Sequence, residues 1–441
     1  MTFTKEIKPT VKLAMPIIVS QLGVSLMGIS DTIMIGYYLG KVALGISGIS
    51  NSVAYLIACL AVGGFHVVSP LVSKANAVKD TEEIKYLYHA SLRVVLGFSV
   101  VLTLLMALAC IYFEVLQQPE AVNEAAPPFM MVVALSFIPN YYFLGLKQIL
   151  DGIGKPAIAM RITIVGLFFN ILFNYVFING FLFFPALGII GAALSTLGVR
   201  IIMTLALYAA IRKNFDPRLD AIDQVRLGKL TKYIYKLTIP SGLALFFEVG
   251  AFTFTFIMMG WIGETALAAH QVSLNFISAT YMISAGISYA GSIRLGEARG
   301  LKNRLLMKDV GNSTIFLITI FMLVSGALIL LFDRYIISWY IHETEVIELA
   351  IRLLWIAGAL TLFDGLQVAG LSLLRGLSDV NIPTAMTLVA YWLIALPLGY
   401  LLGFYFGYAS MGIYVGLYAG LGASAVMVLS RFYLLLPKTA F

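Results

Sequence analysis

P-I-I-V-S-Q-L-G-V-S-L-M-G-I-S-D-T-I-M-I-G-Y-Y-L-G, residues 16–40, is long and apolar enough to cross a bilayer and carries one charge, Asp31. Two more carboxylates, Glu248 and Asp364, stand in the same situation, each alone within a run that otherwise reads as a membrane helix. An ionised acid near the bilayer centre costs about 2.5–3.5 kcal/mol on insertion scales. Such residues face a protein interior or a watery cavity, and they move ions or protons. Three of them in one chain are the mark of a transporter.

The composition agrees. Of 441 residues, 60% are hydrophobic and 12% charged, with a mean hydropathy of +0.94. Soluble domains carry roughly 45–50% apolar and about 25% charged residues, so the chain reads as a polytopic membrane protein. Its net charge of +7 does not point to nucleic acid, because the basic residues lie in loops between apolar runs, where they set topology. Cys59 and Cys110 fall within apolar runs and read as packing residues. Lys5, Lys8 and Lys12 precede an apolar stretch too long for a signal-peptide core, so that stretch reads as an uncleaved first helix.

Apolar runs fall at 13–38, 44–72, 89–113, 128–150, 157–179, 187–211, 236–262, 266–293, 309–333, 347–374, 382–407 and 410–434. Twelve spans result. One set of loops holds Lys74, Lys79 and Lys85, Lys147 and Lys155, the cluster from Arg212 to Lys236, Arg294 to Lys308, Arg375 and Lys438. The opposite set offers little beyond Lys41 and Arg334, and the stretch Glu114–Pro128 has glutamates and no base. Positive loops stay inside, so both termini are expected in the cytoplasm. The longest polar loop, 213–235, reads as a linker between a lobe at 1–212 and a lobe at 236–441.

The halves echo each other at an offset of about 224. K-L-A-M-P at 12–16 matches K-L-T-I-P at 236–240, and Y-Y-L-G-K-V-A-L at 37–44 matches W-I-G-E-T-A-L at 261–267. G-L-K-Q-I-L-D-G ending at Gly152 matches G-L-S-L-L-R-G ending at Gly376. Several matches in order at one offset indicate duplicated six-helix halves, which transporters use to hold substrate between them. The acids are not duplicated: Thr255 stands opposite Asp31 and Val24 opposite Glu248. The lobes share a frame but carry different polar sites.

Glu248 lies 12 residues from Lys236, and Asp364 lies 11 from Arg375. At ~1.5 Å per residue both sit about 17 Å deep, near the midplane. Two acids at one depth can share a proton or bind a hard monovalent cation, or each can be a protonated acid bonded to a neighbouring helix. In the first half, Asn170 and Asn174 share a helical face at a depth close to that of Asp31, and Ser195 and Thr196 approach from helix 6. These amides and hydroxyls serve either as interhelical packing bonds or in ion coupling. His270, Gln271 and Asn275 open helix 8 as possible supporting residues. His270 and His66 read as structural, and Arg161, Arg200 and Arg294 as snorkelling ends. Methionines and aromatics can line an adaptable cavity. No ATP-binding loop and no H-E-x-x-H motif is present, so an ion gradient is the expected power source.

The stretches A-A-H-Q-V-S-L-N-F from Ala268, F-F-E-V at 246–249, S-I-R-L-G at 292–296, P-I-I-V-S-Q-L-G from Pro16, D-T-I-M-I-G-Y-Y-L-G from Asp31 and L-L-R-G after Asp364 closely resemble the multidrug and toxic compound extrusion (MATE) family, over essentially the whole chain. Glu248 and Asp364 match most closely the bacterial NorM-type branch. The resemblance implies an all-α MATE fold, a V-shaped bundle of two pseudo-symmetric six-helix lobes that exports organic cations and other drugs in exchange for Na+ or H+. It assigns Asp31, Asn170, Asn174 and Thr196 to a first-lobe polar cluster, and Glu248 and Asp364 to a second-lobe cation site. Some relatives carry an acid at the position of Asn174 and a tyrosine at that of Leu360, so this chain has one carboxylate and one oxygen ligand fewer. The branch favours Na+, while those two departures pull toward H+.

The reading is therefore a cation-coupled multidrug antiporter of the bacterial inner membrane. It is expected to be a monomer among membrane lipids, with small-molecule drugs and organic cations as substrates, no nucleic-acid partner and no cofactor beyond the coupling ion. The alternative is a flippase or exporter of a lipid-linked or specific metabolite substrate, although a lipid-linked pyrophosphate calls for a basic cavity and these spans are acidic. A membrane enzyme needs a nucleophile–base or metal set at one depth, and the sequence offers none.

Overall fold

Whether residues 13–72 make one helix or two turns on Gly40. The computed structural model describes residues 4–116, 119–181, 185–219, 221–338 and 343–438; Asp220 of the expected linker lies outside them. The helical stretch Thr4–Phe65 is broken at Gly40, where φ is 80° and ψ −170°, a conformation that favours a residue without Cβ. The chain folds back there. A Cβ on Gly36 would lie 3.7 Å from the Leu44 side chain, whereas eight residues of straight helix span about 12 Å.

The helices are α1 (4–39), α2 (41–77), α3 (Thr81–Ile111), α4 (Glu120–Gly152), α5 (Pro156–Asn179), α6 (Gly188–Asn214), α7 (Gln224–Ile262), α8 (Glu264–Gly300), α9 (Arg304–Ser338), α10 (Thr344–Gly376), α11 (Asn381–Tyr405) and α12 (Ala409–Leu435). Among the described residues ten stretches qualify as membrane spans by length and composition, with α1 and α2 counted together; α8 is as long but more polar. The protein is an all-α, multi-pass membrane protein of twelve helices in two six-helix halves.

The repeat is written into the turns. Left-handed residues sit at Gly40 and Gly263, at Lys79 and Lys302, and at Gly154 and Ser378, each pair 223 or 224 residues apart. The residue after each lysine caps the next helix: Asp80 Oδ1 accepts from the Glu83 N–H at 2.9 Å, and Asn303 Oδ1 from the Leu306 N–H at 3.0 Å. Close packing repeats as well. A Cβ on Gly152 would meet the Ser69 carbonyl oxygen at 2.7 Å and Val72 at 2.6 Å; one on Gly376 would meet the Ser292 oxygen at 2.9 Å and Leu295 at 3.1 Å. These helices therefore approach through bare backbone, as membrane interfaces favour.

By packing, the chain forms two compact units, one of residues 19–242 and one of residues 1–18 with 243–441. Both boundaries fall two residues beyond a proline of the repeated K-L-x-x-P motif, Pro16 and Pro240. In the first unit α4 packs against α3 and α6, and α5 against α6. Lys147, expected in a loop, is buried in α4 and pairs with Asp151 at 2.9 Å. Gln148 beside it bonds His66 at 3.1 Å. In the polar stretch after α6, hydrogen bonds from Arg218 hold the exposed Asp216 carboxyl below the usual carboxylate range.

In the second unit α10 packs against α8, α9 and α12. Gly412, Gly416 and Gly420 recur every fourth residue on α12 and let α11 in close, at Gly403, Gly399 and Ala395. Within α11, Pro397 removes a donor and crowds the carbonyl one turn back. The helix widens on either side into π turns at Val389–Ala395 and Leu401–Tyr405. Arg294, expected to snorkel, instead binds Glu6 and Thr10 of α1 within this unit.

Candidate functional site

Asp31 sits near the end of α1, where Gly23 lies tight against Thr163 of α5. That close approach brings the carboxylate within reach of two helices. Its Oδ1 accepts from the amide nitrogens of Asn170 at 2.9 Å and Asn174 at 2.5 Å, and its Oδ2 from the Thr196 hydroxyl at 3.2 Å. Asn170 and Asn174 stand one turn apart on one face of α5, which is why both reach the same oxygen. The four first-lobe residues singled out in the sequence thus converge on one carboxylate. Hydrogen bonds to a charged group are worth about 1.5–3 kcal/mol each, so three of them can hold an anion where water is scarce. The amide oxygens of Asn170 and Asn174 are buried and have no hydrogen-bond partner. Ser195 turns away to the Asn170 backbone oxygen at 3.3 Å.

Arg200, one turn beyond Thr196 on α6, does not snorkel to the membrane surface. Its guanidinium donates to Ser136 of α4 at 2.5 Å and lies close enough to Asp31 to feel its charge. The i, i+4 spacing from Thr196 was the available signal, since it puts both side chains on one face. Asp31 therefore has a counter-charge within its own unit.

In the second unit, Glu248 of α7 accepts through Oε2 from the Gln367 amide at 3.2 Å, and Gln367 Oε1 accepts from the Tyr391 hydroxyl at 3.3 Å. Gln367 follows Asp364 by three residues on α10, so both side chains point the same way. Glu248 and Asp364 are 6% and 3% exposed and lie within each other's electrostatic reach. Asp364 Oδ2 is buried with no hydrogen-bond partner. Arg375, near the end of α10, also acts on Glu248 through its charge. Leu360 packs on the apolar core of this unit. Gln367 and Tyr391 escaped the sequence reading: one is a lone amide among apolar residues, the other one tyrosine among 23.

His270, Gln271 and Asn275 do not join the acids. His270 is fully buried, its Nδ1 paired with the Tyr414 hydroxyl at 2.8 Å, and its ring packs edge-on against that tyrosine. Gln271 and Asn275 lie exposed on another face, 3.4 Å apart. Among the described residues no three His, Cys, Asp or Glu side chains gather into a metal-binding group.

Two six-helix halves, each with a carboxylate hydrogen-bonded among its helices, define a duplicated transporter architecture. The MatE family model matches the chain twice, over residues 16–176 and 240–401, in step with the 224-residue repeat. A probable multidrug resistance protein NorM from Pseudomonas syringae pv. tomato is 33% identical over 439 residues, covering 97% of this chain and 95% of its own length. Its counterpart from Bacillus cereus is 30% identical over 436 residues, covering 98% and 96%. Among solved structures, the eukaryotic MATE transporter AtDTX14 superposes with a TM-score of 0.90 at 18% identity, covering 100% of this chain and 99% of that one. A Vibrio cholerae MATE transporter, VcmN, gives 0.90 at 16% identity and 99% of both chains. The chain belongs to the MATE family, and it is a transporter rather than an enzyme.

Proposed function

We propose that the protein is an antiporter of the bacterial inner membrane that expels amphipathic, often cationic drugs in exchange for Na+ or H+. The observation that carries this reading is Asp364, a buried carboxylate with an oxygen lacking any donor, within the electrostatic reach of Glu248, which accepts a hydrogen bond from Gln367. Unpartnered anionic oxygen in a dry interior is poorly stable unless a cation or a proton occupies it at some stage. A coupling ion entering along the membrane potential contributes about 2.3 kcal/mol per charge per 100 mV. Binding at the acids favours the outward-facing state that releases drug, provided the ion binds that state more tightly.

In the first lobe, Asp31 is held by three donors and lies within the electrostatic reach of Arg200, which suits substrate recognition or a proton better than a second metal ion. The lobes at 1–212 and 236–441, joined by 213–235, carry these separate duties in a monomer with both termini in the cytoplasm. Support for drug export comes from the NorM relatives, themselves named as probable multidrug resistance proteins. The test is efflux of a fluorescent organic cation from proteoliposomes under Na+ and pH gradients imposed one at a time. Export driven by neither gradient removes the proposal, and transport of a lipid-linked sugar in place of drug turns it into a flippase.

A further inference from the structure

A shallow groove of about 170 Å³ lies between α5 and α6 of the first unit. Gly166 and Met203 make its floor, and Val165, Phe169, Ile202 and Ala206 its walls. Gly166 forms the floor because a Cβ there would run into the Met203 side chain. Arg161, Val165 and Phe169 lie on the side of α5 away from Thr163, Asn170 and Asn174, which belong to the Asp31 site, while Gly166 lies between the two faces, with Met27 of α1 also within 3.1 Å of a Cβ there.

One lining residue is charged. Arg161, exposed, stands four residues before Val165 on the same face, about 6 Å nearer the start of α5. Lys213, also exposed, stands seven residues after Ala206 on the matching face of α6, about 10 Å nearer its end. The two ends are held together by Lys155, whose Nζ bonds the Asn214 side-chain oxygen at 3.3 Å. Neither helix contains a single acid. The nearby Asp216 is engaged with Arg218 at 3.0 Å. An apolar trough with two cations stacked beyond one end has the charge and shape of a phospholipid turned inside out.

We propose that this groove is a binding site for an anionic phospholipid, with one acyl chain along Gly166 and Met203, the phosphate at Arg161 and the acidic headgroup toward Lys213. Basic pockets between membrane helices recognise such headgroups, while attraction to a charged surface alone would need no trough. Because α5 carries Asn170 and Asn174, the lipid also steadies the helix that holds the Asp31 site.

The probe is phosphatidylglycerol against phosphatidylcholine of the same acyl chains, offered to the full-length protein in mixed nanodiscs, with retained lipid counted by native mass spectrometry after detergent extraction. Wild type should retain phosphatidylglycerol in preference. Arg161→Gln and Lys213→Gln should each lower its retention about fivefold, the worth of one basic residue near an anionic surface. Arg161→Lys should restore most of it. Ala206→Phe, which fills the trough and keeps both charges, should lower retention as well. Equal retention of both lipids by wild type overturns the site, as does unchanged retention in Arg161→Gln. Loss in the charge variants with none in Ala206→Phe reduces the finding to surface attraction and also overturns it. The readout does not depend on transport, so it stands apart from the antiport assay.

Discussion

Gln367 donates to Glu248 at 3.2 Å while Asp364, one turn away on the same helix, keeps a buried oxygen with no donor. One acid of the pair is oriented and the other is left open. Gln367 is fixed in turn by the Tyr391 hydroxyl, which the π turn of α11 carries. Gln367→Leu should therefore free the Glu248 carboxylate and raise the half-saturating coupling-ion concentration roughly tenfold, the equivalent of ~1.4 kcal/mol. Tyr391→Phe, which removes only the outer bond, should cost less. Ion titration of drug efflux in proteoliposomes measures both, and an unmoved half-saturation point in Gln367→Leu would detach this chain of bonds from coupling.

Glu248→Gln and Asp364→Asn keep size and hydrogen-bonding capacity but remove the charge. Each should abolish gradient-driven efflux in a protein that still inserts and folds. The amide at 364 is the sharper case, since its carboxylate has an oxygen that makes no bond here. Normal efflux and normal ion stoichiometry in both variants would take the pair out of the mechanism.

Asp31 poses a different question because four groups surround it. Asp31→Asn leaves Asn170 and Asn174 facing a third amide and leaves Arg200 without its nearby anion. Cells carrying it should lose drug resistance. If Asp31 meets only cationic drug, binding of a neutral substrate should survive. Resistance unchanged for every compound would make the cluster a packing device.

The helices and their turns were legible because membrane burial forces long apolar runs and because Gly40 and Gly263 mark the reversals. What a one-dimensional count withholds is azimuth. Arg294 stands near the end of α8 and Arg200 halfway along α6, and both turn inward onto partners from other helices. Lys147 was counted with Lys155 among the loop charges, and only helical geometry makes it and Asp151 an i, i+4 pair inside the core. Asn170, Asn174 and Thr196 were conspicuous as polar residues in apolar runs; Gln367 was equally so by that standard, but lay in the shadow of Asp364.

The Lys147–Asp151 pair supports a stability prediction. Both side chains are 3% exposed, and Asp151 Oδ1 has no further donor. Lys147→Met strands a buried carboxylate and should destabilise the protein by about 3–5 kcal/mol. Replacing both, Lys147→Met with Asp151→Leu, should recover most of that loss, because neither charge then needs a partner. Thermal unfolding in detergent compares the three proteins. A double variant as unstable as the single would mean that the pair does more than cancel itself.

The coupling ion can be decided by competition. A Na+ site needs several oxygens at fixed distances, while a proton needs one carboxylate that takes it up within the working pH range. Glu248 and Asp364 supply carboxylate oxygens, Gln367 presents its nitrogen to Glu248 and its oxygen to Tyr391, and Leu360 supplies none. Further Na+ ligands must come from water or backbone, yet the charge of two neighbouring acids is a strong attraction for a cation. The sign of the pH effect follows directly: protonating either acid removes charge that binds Na+, so Na+ affinity should fall as pH falls. Efflux at constant pH should rise with an inward Na+ gradient, and acidification should shift the Na+ titration to higher concentration. Full activity in Na+-free medium under a proton gradient alone, with Glu248→Gln and Asp364→Asn both inactive, would assign the same two carboxylates to H+ instead.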